Sequence, residues 1–175
     1  GWSRSACQVK VAAPFDLVIA SAGGDPKDID LYQSQKALAH ASLVMRDGGT
    51  VILAAACPDG TGSQEYEAWM AGVLSHEQVF AKFEREGFRI GPHKAFQIAR
   101  DASRLRVVLV SGLEPELVQR LLLTPAESLD SALGLVLSRL PPNARVGIMP
   151  RASSTIPRAP TRSFESSLPK NEQRK

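Results

Sequence analysis

The chain has 175 residues, of which 43% are hydrophobic and 22% are charged, a composition typical of one globular domain with a sizeable core. No apolar run approaches the roughly 20 residues that a membrane-spanning helix needs. The first residues also lack the long apolar stretch of a signal peptide. We therefore expect a cytoplasmic protein without membrane association.

The net charge of +3 comes from the carboxyl end of the chain. Residues 151–175 hold six Lys or Arg and two acids, which leaves 15 Lys or Arg and 16 Asp or Glu in residues 1–150. Such a neutral body does not favour nucleic acid as a partner. We expect an α/β domain over residues 1–152 and a basic, disordered tail over 153–175, with contact between the tail and an anionic partner as the alternative.

The cysteines and histidines predict neither a disulfide framework nor a metal site. Cys7 and Cys57 are too few and too far apart for a framework, and we expect reduced thiols, with Cys57 buried or at a rim rather than nucleophilic. His40, His76 and His93 do not fall at metal-ligand spacing with one another or with the cysteines. The sequence thus predicts no complete metal site in this chain.

Short β-branched apolar runs alternate with segments of helical periodicity. The runs predict buried strands of a mostly parallel sheet at 15–21, 50–56, 106–111 and 145–149, with a possible edge strand at 8–12. The periodic segments predict helices at 31–46, 64–74, 76–86, 92–102, 114–122 and 128–139. Gly48-Gly49 would end the first helix. This alternation predicts an α/β fold: a single three-layer αβα domain.

The segment IASAGGDPKDIDLYQSQK at 19–36 is the most informative in the chain. A predicted strand ends there in a glycine pair and a predicted helix begins, which is where ligands bind in α/β folds. Tyr32, Gln33 and Lys36 would project from one region of that helix. A phenol, an amide and an ammonium suit a small anionic, oxygen-rich ligand such as a hydroxy acid. Solvated residues of an ordinary first turn are the alternative.

Further candidates follow other predicted strands. Gly23 and Gly24 allow a tight turn or a close approach to a ligand, but the third glycine of the dinucleotide fingerprint is missing. Gly60 and Gly62 follow the next strand and would lie at the same edge of the sheet. His93 begins a predicted helix, where an imidazole could meet a ligand or serve packing alone.

Two acids precede the first helix. Asp28 or Asp30 is expected to cap its amino end, since a side-chain oxygen there accepts a free backbone N–H and the helix dipole favours negative charge. An acid–base pair formed by the two carboxylates is the less favoured interpretation.

These segments together resemble the carboxy-terminal domain of the nickel-dependent lactate racemase family. The specific part is SAGGDPKDIDLYQSQKAL at 21–38. Supporting matches follow in order: RDGGTVILAAACPDGTG at 46–62, GPHKAFQIA at 91–99, VVLVSGL at 107–113 and VGIMP at 146–150. The resemblance covers about residues 8–157, which is essentially the whole predicted domain.

The resemblance implies a division of labour between two domains. An amino-terminal domain, not contained in this chain, would hold a nickel pincer nucleotide and supply the histidines that act as acid and base. The reaction would invert a 2-hydroxy acid by removal and return of a hydride. This chain would be a partner of that domain, would bind the small hydroxy acid, and would have no catalytic residue and no activity alone.

By the same resemblance, the substrate contacts fall on Tyr32, Gln33 and Lys36. His93 lies where some family members present a tryptophan to the cleft, which leaves the identity of the hydroxy acid open. The cofactor contacts would come from the loop glycines: Gly23, Gly24, Gly60 and Gly62.

Two other functions stay open at this point. A Rossmann-like nucleotide or methyl-donor binding domain is disfavoured by the missing third glycine and by the absence of an acidic residue at the end of TVILAAA. A freestanding, non-catalytic binding module of the same fold would instead bind a separate polypeptide or an anionic surface.

Overall fold

A five-stranded, all-parallel sheet organises the domain in a computed structural model that describes residues 8–158. A first short strand, β1, spans Gln8–Lys10 and lies outside that sheet. The sheet strands are β2 (Phe15–Ser21), β3 (Met45–Ala54), β4 (Arg106–Val110), β5 (Thr124–Ala126) and β6 (Val146–Met149). Their order is β5-β4-β3-β2-β6. The predicted α/β class with a parallel sheet is thereby confirmed.

Six α-helices connect the strands within residues 8–158. They are α1 (Leu31–Ser42), α2 (Gln64–Met70), α3 (His76–Glu86), α4 (Pro92–Ala102), α5 (Pro115–Arg120) and α6 (Leu129–Leu137). In this part of the chain none of them combines the length and the apolar character needed to cross a bilayer.

Helices cover both faces of the sheet, as the three-layer prediction required. The larger core cluster joins buried residues of α1 to α5 to seven strand residues: Val18, Ala20, Met45, Val51, Leu53, Val107 and Leu109. The smaller cluster joins Ala132 and Val136 of α6 to strand residues on the opposite face: Leu17, Ile52 and Val108. Because successive side chains of a strand point to opposite faces, continuous apolar runs such as TVILA fill both layers.

The predicted end of the first helix, at residue 46, is wrong. Helix α1 ends at Ser42, and Met45 already begins β3 by pairing with Phe15. The pairing then shifts register, and regular pairing resumes after Gly48-Gly49, where Gly48 has a φ of +77°. The glycines therefore form an irregularity inside a strand rather than a helix terminus, since pairing with β2 outweighs local helical periodicity.

Regular structure continues past residue 152, where the sequence analysis placed the start of the tail. Residues 152–154 form a 3₁₀ turn, and strand β7 (Ile156–Arg158) pairs in parallel with β1. The expected edge strand at 8–12 therefore joins this small separate sheet and not the main one. Backbone pairing thus makes residues 153–158 part of the folded body, and the rest of the predicted tail, 159–175, lies outside the described residues.

Candidate functional site

The start of α1 is held by hydrogen bonds from two loops. The Asp30 side chain accepts a hydrogen bond from the Gln33 N–H at 2.6 Å. Of the two acids that the sequence offered as caps of this helix, Asp30 is therefore the one in the cap position. The other first-turn N–H groups donate to the loop after β3: Leu31 to the Gly60 carbonyl at 3.1 Å and Tyr32 to the Thr61 carbonyl at 3.0 Å. Because these N–H groups are engaged, an anion bound here would meet side chains rather than free backbone donors.

The four predicted substrate contacts lie together on one surface. Lys36 Nζ donates to Gln33 Oε1 at 2.7 Å. Tyr32 Oη lies 3.4 Å from His93 Nε2, and the two rings meet edge to face with centroids 5.6 Å apart. Lys36 is exposed and the other three are half-buried. The structure thus brings together residues that are about 60 positions apart in the sequence.

His93 lies between two aromatic rings. Besides Tyr32, it contacts Phe88, with ring centroids 5.4 Å apart. Phe88 itself is 72% exposed. Nδ1 of His93 is buried without a hydrogen-bond partner among the described residues. One ring nitrogen therefore faces the phenol, while the other has unused hydrogen-bonding capacity.

Lys94 belongs to the same cluster and was missed in the sequence. It is only 6% exposed, its Nζ donates to Gln35 Oε1 at 3.1 Å, and the ammonium lies 4.2 Å from the centroid of the Tyr32 ring. Burial lowers the pKa of Lys94, the charge of Lys36 lowers it further, and Asp30 opposes the change. Its spacing in the sequence could have indicated this burial, because Lys94 lies four residues before Ile98 and so on the buried, apolar face of α4.

The loop glycines have different surroundings. Gly60 and Gly62 share a φ of +74°, which disfavours any residue with a side chain. A Cβ at Gly60 would meet nothing within 4 Å, whereas one at Gly62 would overlap the Asp30 side chain. Gly23 and Gly24 form the turn after β2, where a Cβ at Gly24 would also meet nothing within 4 Å. Gly62 therefore makes room for the helix cap.

Cys57 is a buried thiol, in agreement with the expectation. It begins the loop after β3 and is 2% exposed. Burial, opposed by a hydrogen bond with Ser34, raises the pKa of Cys57 to about 11. At neutral pH the thiol is therefore almost entirely protonated, which makes it a poor nucleophile.

The other two histidines take part in packing. Nδ1 of His40 lies 2.7 Å from the Ala152 carbonyl oxygen, which joins α1 to the 3₁₀ turn. Burial lowers the pKa of His76 at the start of α3. Across residues 8–158 no group of three or more His, Cys, Asp or Glu side chains is arranged to hold a metal ion.

Two depressions are formed by loops that follow β3, β4 and β5. One of about 460 Å³ is lined by residues 109, 111–115 and 125–127, and one of about 400 Å³ by 59–65 and 67. Neither is lined by Tyr32, Gln33, Lys36 or His93. These four residues instead lie on a partly exposed surface, where a bound ligand could also be contacted by a second protein surface.

Comparison with known proteins gives one consistent result. The family described as lactate racemase C-terminal domain matches residues 10–156. The lactate racemase of Thermoanaerobacterium thermosaccharolyticum is 30% identical over 151 residues, which is 84% of this chain and 35% of that protein. The lactate racemase of Lactiplantibacillus plantarum is 27% identical over 149 residues, or 83% of this chain and 35% of that protein. The chain thus spans about a third of the length of these relatives.

Solved structures agree. The lactate racemase apoprotein from T. thermosaccharolyticum has a TM-score of 0.83 and 29% identity, covering 90% of this chain and 38% of that one. A Thermotoga maritima protein has a TM-score of 0.58 at 9% identity, covering 87% of this chain and 39% of that one, and so shares the fold alone. The resemblance drawn from residues 21–38 is thereby confirmed at the level of the family.

Gly62→Ala should destabilise the fold more than Gly60→Ala. Both changes introduce the strain of a side chain at φ +74°, about 1–2 kcal/mol. Only the first displaces Asp30 and so loses a helix cap of about 0.5–2 kcal/mol. Free energies of unfolding from urea titrations would measure the difference, and equal losses in the two variants would contradict the role given to Gly62.

Cys57 should resist alkylation in the folded protein. In a Cys7→Ser variant at pH 8, iodoacetamide should modify the native thiol far more slowly than the urea-unfolded thiol. The reason is that a pKa of about 11 leaves about one thiolate in a thousand at that pH. Mass spectrometry over time would follow the reaction. The native rate should rise with pH towards 11, and rapid native labelling at pH 8 would contradict the buried position.

Proposed function

The chain belongs to the family of lactate racemase C-terminal domains, and from that premise we propose that it is the substrate-side domain of a nickel-dependent 2-hydroxy-acid racemase or epimerase. The observation that carries the proposal is the convergence of Tyr32, Gln33, Lys36 and His93 on one surface within the matched region. The activity would belong to the complete enzyme, since the chain spans 35% of the length of its curated relatives.

Lys36 and Gln33 are suited to hold the hydroxy acid. The exposed ammonium of Lys36 would bind the substrate carboxylate through a charge-assisted hydrogen bond. Gln33 already accepts a hydrogen bond from Lys36 through Oε1. Its NH₂ group would therefore be directed to the substrate, as a donor to the hydroxyl or carboxylate oxygen.

Tyr32 and His93 would shape the rest of the binding surface. Their edge-to-face contact holds the phenol oxygen 3.4 Å from the imidazole. Either the Tyr32 hydroxyl or the His93 imidazole could then form a hydrogen bond with the substrate while staying close to the other. With Phe88 beside His93, the surface also has an aromatic border, which would separate the reacting carbon from water.

The nickel pincer nucleotide implied by the family would be contacted, but not mainly held, by this chain. Among residues 8–158 no side-chain cluster is suited to hold the metal itself, whereas the space above Gly24 and Gly60 is open enough for an organic group to approach the backbone. Gly23 would contact the cofactor together with Gly24, and Gly62 would contribute by positioning the loop after β3 against Asp30. When bound, the cofactor supplies the hydride-accepting chemistry.

The proposed partner is an amino-terminal domain of the same enzyme. The matched relatives are about three times as long as the matched segment, and the candidate surface lies partly exposed. A second domain carrying the cofactor would enclose the hydroxy acid between the two.

D-lactate should bind the Lys36 surface, and Lys36→Met should weaken that binding at least about tenfold, the effect of losing about 1.4 kcal/mol from a hydrogen bond to a charged group. NMR titration of the chain with D-lactate should perturb Tyr32, Gln33 and His93. Lys10→Met, which removes an exposed lysine on β1, is the matched control. Equal effects of the two substitutions would contradict the assignment of Lys36.

Calorimetry and a turnover assay would test the two-domain enzyme. This chain should bind a separately produced amino-terminal domain that carries the nickel cofactor, and the mixture should convert D-lactate to L-lactate. Binding without turnover would indicate a different hydroxy acid, while no binding would favour the freestanding module.

A further inference from the structure

Lys94 carries a charge inside the protein without a carboxylate beside it. The ion pairs formed within residues 8–158 do not include it, and its two close partners are the Gln35 amide oxygen and the Tyr32 ring. Burying an ammonium with such partial compensation is unfavourable. A methionine would fill a similar space without that penalty, so packing alone does not account for a lysine here.

The contacts of Lys94 all lead to the candidate surface. Gln35 and Tyr32 both belong to α1, so the lysine joins α4 to the helix that carries the predicted substrate contacts. The ammonium lies against the face of the Tyr32 ring, whose hydroxyl reaches His93. Tyr32 is therefore held by two consecutive residues of α4.

Lys94 also adds positive charge close to Lys36. Tyr32 and Lys36 are four residues apart on α1, so the ammonium on the Tyr32 ring lies on the same side of that helix as Lys36. Burial lowers the pKa of Lys94, and the charge of Lys36 lowers it further. Placing two cations within reach of each other is unfavourable until an anion joins them. Within residues 8–158, the acid whose charge raises the pKa of Lys94 is Asp30, which is already engaged as the cap of α1.

We propose that Lys94 is a positioning residue of this surface, which holds Tyr32 against His93 and supplies a buried positive charge beneath the site where Lys36 binds a carboxylate. The first part rests on the contacts alone, and the second rests on the proposed function.

The test compares Lys94→Met and Lys94→Arg in the full chain with the control Lys82→Met. Lys82 makes the same kinds of contact elsewhere: its Nζ lies 4.6 Å from the centroid of the Trp69 ring and donates to the Trp69 carbonyl at 2.6 Å. NMR would record the ring contact between Tyr32 and His93 as nuclear Overhauser effects. Titration with D-lactate at low and high salt would give the affinity.

Lys94→Met should lose the ring contact and bind D-lactate about three- to tenfold more weakly at low salt, with a smaller salt dependence. Lys94→Arg should keep the charge and most of the affinity, and Lys82→Met should change neither readout. An intact ring contact and unchanged affinity in Lys94→Met would overturn the proposal. If the unmodified chain binds no D-lactate, the proposed function fails, while the ring contact still decides whether Lys94 positions Tyr32.

A pH series on the unmodified chain covers the case in which Lys94→Met does not fold. The charged and titratable groups that act on or contact Lys94 are Lys36, Asp30 and Tyr32, and His93 contacts Tyr32 from the other side. Because the pKa of Lys94 is lowered, it should lose its charge at a lower pH than a lysine side chain in water. The Tyr32 ring resonances should change with the Lys94 titration, and D-lactate affinity should fall over the same interval. If the Tyr32 resonances did not change over the pH interval in which Lys94 loses its charge, the proposal would be overturned.

Discussion

The docking of the first turn of α1 onto the loop after β3 is the constraint on which the rest of the site depends. The Asp30 side chain accepts a hydrogen bond from the Gln33 N–H, and two carbonyl groups of the neighbouring loop accept hydrogen bonds from Leu31 and Tyr32. These partners satisfy backbone donors that have no partner inside the helix. The two bonds to the loop also determine how α1 presents Tyr32, Gln33 and Lys36, because the helix cannot rotate about its axis without breaking them.

The same loop extends the constraint to α4. Gly62 leaves the space that Asp30 fills, and a Cβ at Gly91 would come within 2.9 Å of the Glu65 side chain. The starts of α1, α2 and α4 thus pack closely around one loop. His93 and Lys94 lie in the first turn of α4, so their distance from Tyr32 follows from this packing and not from any direct link in the sequence. A half-buried surface built in this way would be ready before a ligand arrives.

Sequence patterns were most informative where a strand is buried on both faces. The apolar runs correctly predicted β2 and β4, since strands between two helical layers are continuously apolar. The run at 145–149 also predicted β6, although Val146 and Ile148 of this edge strand are exposed. Strand β5 was missed because three residues that include Pro125 carry no such pattern. Of the four side chains predicted to bind substrate, Tyr32 contacts His93 and Gln33 contacts Lys36, and their role stays a prediction. Lys94 was not found, since only the folded packing of α1 against α4 puts its ammonium on the Tyr32 ring.

The parallel pairing of β1 with β7 has a mechanical consequence. Gln8 lies beside Ile156 and Lys10 beside Arg158, and the Val11 N–H adds a bond to the Arg158 carbonyl at 2.9 Å. A force pulling on the chain before Gln8 and after Arg158 would act along these strands in opposite directions. It would load the bonds of the ladder together in shear instead of opening them one after another. Tension between the two connections would therefore be borne by this short ladder before it reached the main sheet and the Tyr32 surface.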